Sequence, residues 1–322
     1  MIRPIQHNAF LITADHGGRS ADQPSTRRAT AEAGCPLTPN TIPAKLTREP
    51  GFGEFHISRF ADRMRVTRLF SHNPLRLLVP RTSDTVARVY ATTFGGGLVQ
   101  GDHIRLHGVI GPAASCIFTT QSSTKVYPCP QGSTSRQNID IDIGGSAVLE
   151  VLADPLVCFH NARIAQRQDF NLAADASLLL VDTFTSGRWS NGERWAFARL
   201  ENRIDIHIAG RPWLADRMLL CGTDTSNPLA AQFGVWNCIS TVVFAGPRYT
   251  APAKELHERI SRAPPGPTNG LIYAMWPHRD GPGGSAGYIL RAAGESTRIV
   301  TAFLEESVGP LCLSGSLFHR KW

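Results

Sequence analysis

Four acidic side chains, Glu150, Asp154, Asp182 and Glu193, stand in or beside β-prone stretches of this 322-residue chain. Carboxylates spaced along a polar passage are weak oxygen donors that would hand a divalent ion onward instead of trapping it, whereas scattered ones simply serve turns and salt bridges. Softer ligands are also present. His103 and His107 share a face if "HIRLHGVI" is a strand, with Arg105 between them, and Cys158 and His160 pair in the same way. Imidazole and thiolate suit nickel, zinc or copper. Neither pair supplies enough ligands alone, and the guanidinium opposes a cation at the first, so surface histidines and a buried cysteine are the economical reading of both.

Other chemistries fit less well. The run "TTFGGGLVQGD" at 92–102 lacks the Gly-Lys and hydroxyl of a phosphate-binding loop, and a strand follows it where a dinucleotide site would have a helix. Gly95, Gly96, Gly97 and Gly101 are better read as backbone devices, giving positive φ or close chain approach, with Asp102 bracing the turn. "TTQSSTKVYP" at 119–128 offers Ser122 and Ser123 but no nucleophile elbow, which leaves an independent hydrolase a distant reading. "DTFTSGRWSNGERWAF" at 182–197 differs. Its Arg188, Trp189, Arg194 and Trp195 have the makeup of an interaction surface, or of Arg–Trp packing within the fold.

Elements must hold these groups in place. Three units repeat: "HIRLHGVI" then "GPAASCIFTTQSSTKVY", "NIDIDI" then "GGSAVLEVLADPLVCF", and "RQDFNLA" then "ADASLLLVDTF". Each combines an alternating strand, a small-residue turn and another β-prone run, about 30 residues from the next, a period at which stacked units bury one another's apolar faces. This predicts a mainly β fold with a solenoid-like body; a stacked β-sandwich is the second choice. Two strands are expected around Gly210-Arg211-Pro212, and short helices in "APAKELHERIS" and "ESTRIVTAFLEE", the latter with Ile299, Ala302 and Phe303 on its apolar face. Residues 1–50 are poor in large apolar groups and read as a flexible extension, leaving 51–322 as a single β-rich domain.

Seven cysteines without a C-x-x-C, the lack of a secretory-signal pattern and no apolar run of membrane-spanning length point to a cytoplasmic protein. The formal charge of +7 comes from scattered arginines and carries no nucleic-acid motif. Neither nucleic acid nor membrane is expected as a partner.

Taken together and in order, "GGGLVQGD" at 95–102, "TTQSSTKVY" at 119–127, "VLEVLADPLVCF" at 148–159 and "DTFTSGRWSNGERWAF" at 182–197 resemble the urease accessory protein family UreD, also called UreH. The resemblance covers residues 52 to about 310, with Phe94 where bacterial members often have proline and "CFH" at 158–160 as local departures. It implies a right-handed β-helical body with two peripheral helices and a non-enzymatic maturation role. The implied partners are a helical UreF-like accessory protein, a UreG-like GTPase nickel chaperone reached through the complex, and apo-urease. Nickel would pass transiently to a two-nickel site with a carbamylated lysine, GTP would be used by the partner, and no cofactor would be tightly bound. On this reading Asp102, Glu150, Asp154, Asp182 and Glu193 are candidates for a nickel route, with Cys158 and His160 weaker ones. Gly95, Gly96, Gly97, Gly101, Thr124, Lys125, Tyr127, Arg188, Trp189, Arg194 and Trp195 are structural or interface candidates. An interaction scaffold without metal transfer is the alternative.

Overall fold

The computed structural model describes residues 49–80, 85–222, 226–262, 266–278 and 287–317. Apart from Glu49 and Pro50, the N-terminal extension lies outside them. The hairpin β1 (Phe52–Phe60) and β2 (Arg63–Ser71), followed by β3 (Leu75–Leu78), leads into four coils of a β-solenoid. The first comprises β4 (Ala87–Thr93), β5 (Gly97–Leu98) and β6 (His103–Ile110). The second comprises β7 (Ser115–Thr120), β8 (Thr124–Val126) and β9 (Ser135–Ile143), and the third β10 (Val148–Leu152), β11 (Leu156–Cys158) and β12 (Arg163–Leu172). The last has β13 (Ser177–Thr185) and β14 (Arg199–Ile208), and β15 (Arg211–Cys221) folds back on it.

Coils stack in parallel register, which distinguishes the solenoid from the antiparallel sheets of a sandwich. One wall orders its strands β15-β14-β12-β9-β6-β1-β2 and another β17-β18-β16-β13-β10-β7-β4-β3, while β5, β8 and β11 form a narrow third face. The turns between walls recur as the sequence predicts. Ala114 N donates to Gly111 O, Ala147 N to Gly144 O and Ala176 N to Ala173 O, each at 3.1 Å. All three alanines are buried, so only a methyl fits where one turn lies on the next.

Alternation decides which side chains enter. Ile139, Ile141 and Ile143 of β9, Phe170 and Leu172 of β12, and Ile204, Ile206 and Ile208 of β14 fill the interior beside Leu178, Leu180 and Phe184 of β13. Leu179 and Val181 point the other way, into a second core. That core is covered by the C-terminal part of the chain. After α1 (Leu229–Phe233) come β16 (Cys238–Ala245), α2 (Pro247–Ile260), β17 (Leu271–His278), β18 (Gly287–Gly294) and α3 (Thr297–Ser307).

Both expected helices are present, with two adjustments. The first begins earlier, with Pro247 at its start, where a missing N–H costs nothing, and it tolerates Pro252 within. The second starts at an N-cap serine, Ser296, whose hydroxyl accepts from Ile299 N at 3.4 Å. Its buried face is Val300 and Leu304 rather than Ile299, Ala302 and Phe303: Ala302 is exposed, and Phe303 stacks on Tyr273 of β17 at 4.7 Å. The helices cover the wall's outer face instead of capping an open end.

Candidate functional site: a polar row inside the solenoid

The interior is not apolar throughout. Gln137 of β9 is abreast of Gln166 of β12, which is abreast of Asn202 of β14, so three inward positions in successive coils hold amides. Asp182 of β13 faces them from the opposite wall. Gln166 Nε2 donates to its Oδ1 at 3.2 Å and Asn202 Nδ2 to its Oδ2 at 2.8 Å, while Gln166 Nε2 also lies 3.1 Å from Asn202 Oδ1. Burial pushes the Asp182 carboxyl up to about 7 against the nearby amides of Asn202, Gln166 and Gln168, and the charge of Asp216 adds to the rise. Gln137 also borders a cavity of about 40 Å³, enough for a water molecule, whose lining includes Thr120, Ser122, Ser123 and Thr124. Beyond Asp182, Asp216 of β15 pairs with Arg291 of β18.

The other four acids are set apart from this row. Asp102 braces the glycine turn as expected, its Oδ2 accepting from Val99 N at 2.8 Å. Asp154 exchanges hydrogen bonds with Thr120, whose Oγ1 accepts from Asp154 N at 2.9 Å and lies 3.1 Å from Oδ2. Glu193 accepts from Arg188 and from His160 N, and the guanidinium holds its carboxyl below the usual range. Glu150 is fully buried on the outer side of its wall. Its Oε1 accepts from Tyr249 OH of α2 at 2.8 Å and from Leu313 N at 2.6 Å, and burial raises its pKa despite them. Among the described residues no three His, Cys, Asp or Glu side chains gather as a metal-binding group.

The pairing of Cys158 with His160 on one strand face does not hold. The strand stops at Cys158, whose thiol is buried in the interior core and pushed far up by burial, while His160 is exposed in the following turn. His103 and His107 do share the outer face of β6 with Arg105, which pairs with Glu49 at 2.5 Å.

The glycines divide by role. Gly95, Gly96 and Gly101 have φ of 76°, 70° and 82° with open space where a side chain would stand. At Gly97 space is the limit: a Cβ would come within 2.4 Å of Lys125 O and 2.9 Å of the Tyr127 ring. Tyr127 OH in turn donates to Gly95 O at 2.9 Å. In the loop after β13, Trp195 is buried, stacked on Phe233 at 4.2 Å, and its Nε1 donates to Trp236 O at 2.9 Å. Arg194 Nε donates to Asn237 Oδ1 at 2.7 Å, and Trp189 projects outward.

Gln137, Gln166 and Asn202 belong to no motif of the sequence. Their signal is parity, since each occupies an inward position of an alternating strand, a face on which Ser135 of β9 and Gln168 of β12 are also buried and polar.

These features define a β-solenoid with a buried polar row and a docked pair of helices. The profile of the family described as UreD urease accessory protein matches residues 50–318. The chain is 36% identical over 281 residues to the urease accessory protein UreD of Sorangium cellulosum (strain So ce56), covering 87% of this chain and 86% of that one. It is 34% identical over 275 residues to that of Anaeromyxobacter sp. (strain Fw109-5), covering 85% and 90%. It is also 31% identical over 236 residues to urease accessory protein D of Oryza sativa subsp. japonica, covering 72% and 74%. The chain belongs to the UreD urease accessory protein family, whose members are non-catalytic chaperones of urease maturation.

Proposed function

We propose that this protein docks on apo-urease together with a helical UreF-like accessory protein and a GTP-hydrolysing UreG-like chaperone, and assists delivery of nickel to the two-nickel, carbamylated-lysine site. GTP hydrolysis belongs to the partner, and the setting is the cytoplasm. Six free cysteines among the described residues, five of them buried, accord with a reducing compartment.

The observation that carries the transfer part is the row Gln137, Gln166, Asn202 and Asp182. Amide and carboxylate oxygens are weak donors for nickel compared with thiolate or imidazole, so they suit passage more than storage. With its carboxyl poised near pH 7, Asp182 would release a proton when a cation arrives and recover it when the cation leaves. Asp154, Glu150, Glu193 and Asp102 lie off the row and act on this reading by holding the turns, tail and loop around it.

The test is activation of apo-urease with nickel, bicarbonate, GTP and the other accessory proteins, with and without this chain. Activity that requires the chain supports the maturation role; equal activity without it refutes that role. A Gln166→Leu, Asn202→Leu variant that folds and assembles should activate poorly. Full activation by that variant would remove the interior row from the mechanism and leave an assembly scaffold.

A further inference from the structure

A second feature follows the coil period on the outside. Gly95, Tyr127, Phe159 and Arg188 belong to successive coils and touch in sequence. Tyr127 OH donates to Gly95 O, the Tyr127 ring meets the edge of Phe159 at 5.2 Å, and the Arg188 guanidinium lies 4.2 Å over the Phe159 ring. Arg194 continues the line, 5.5 Å over the ring of Trp189.

The ends of this stripe are apolar and bare. Phe94 and Val99 flank the glycine turn at one end, Trp189 and Val235 lie at the other, and all four are more than half exposed. Alongside run Lys125 and Arg194, neither of which meets a carboxylate among the described residues. Arg194 spends its hydrogen bonds on Asn237 and the Gly234 carbonyl, which hold the guanidinium in place without neutralising it.

From these contacts we infer that the stripe is a docking surface for an acidic amphipathic helix of a partner protein, and that Trp189 is its anchor. The inference rests on the reading that this chain acts by joining other proteins. Coil rows repeat at about 4.8 Å, close to the 5.4 Å pitch of an α-helix, so apolar side chains one turn apart fall on successive coils. Four coils span about 15 Å, or roughly three helical turns. Carboxylates on the helix flanks would meet Lys125 and Arg194, while the apolar face covers Trp189 and Phe94.

The experiment measures the affinity of the full-length chain for the purified helical accessory protein and, separately, for apo-urease. Trp189→Ala removes an exposed side chain, so its melting curve should match wild type. It should weaken binding of the helical protein about thirty-fold or more, as an interface anchor does. Lys125→Glu should slow association and remove part of its salt dependence, whereas Leu219→Ala, on exposed β15, should bind as wild type. Undiminished binding of the helical protein by both Trp189→Ala and Lys125→Glu would overturn the inference, as would a loss confined to apo-urease. If the wild-type chain binds neither protein, the maturation reading falls with it.

Discussion

Replacing Asp182 by Asn tests the buried row through its titration. The carboxyl ionises near 3.8 in an unfolded chain and near 7 in the fold, and burial is the main cause. A folded pKa raised above the unfolded one means that the native state binds the proton more tightly. Its stabilising contribution is therefore complete below about pH 4 and is lost as pH rises through 7. At 1.36 kcal/mol per unit, the loss amounts to about 2 kcal/mol at pH 5, where only the unfolded chain ionises, and about 4 kcal/mol at pH 8. Asparagine cannot ionise, and its misplaced amide hydrogen bond costs a roughly constant 1 kcal/mol. Denaturant unfolding of both proteins at pH 5 and pH 8 should then show the variant gaining roughly 2 to 3 kcal/mol on the wild type across that interval. All other titrating groups are common to the pair and cancel to first order. A stability difference of equal size at the two pH values would refute the reasoning, because it would mean that Asp182 keeps an ordinary carboxylate pKa inside the fold.

Gly97→Ala should destabilise more than Gly96→Ala, because the first drives a Cβ into Lys125 O and the Tyr127 ring while the second pays about 1 kcal/mol for its positive φ; thermal melts of the two variants would separate the causes. Trp195→Ala should cost about 3 to 5 kcal/mol, having lost the Phe233 stack and the Trp236 hydrogen bond, as read by denaturant midpoint. Glu150→Ala should free the segment around Leu313, measured as faster amide hydrogen exchange there. Glu150→Gln, which keeps an acceptor for Tyr249 and Leu313 N, should preserve most of the protection.

What sequence made legible was whatever repeats or alternates. The turns at Gly111, Gly144 and Ala173 announce coils because each must lie against the next, and β6, β9 and β14 display their inward faces by parity. Asp102 was readable because its partner, Val99, is three residues away. Glu150 was not, since Tyr249 and Leu313 come from 99 and 163 residues further on. The buried face of α3 is hidden in the sequence for a similar reason. Its apolar residues are Ile299, Val300, Ala302, Phe303 and Leu304, and only the approach of the underlying wall selects Val300 with Leu304 for full burial. Cys158 and His160 failed as a pair because the strand ends between them and the chain leaves its alternating path.

Both long sheets end in strands that run against the coils: β2 and β15 on one wall, β3 and β17 on the other, where β16 is also reversed and β18 between β16 and β17 runs with the coils. A parallel coil is open-ended by construction and would accept another coil of its own kind. Reversing the terminal strands fixes the count at four, so the length of any line of side chains along the axis is set within one chain and cannot grow by stacking copies in register. Such a molecule is a gauge of fixed length, and any partner that spans it from one end to the other must be cut to the same measure.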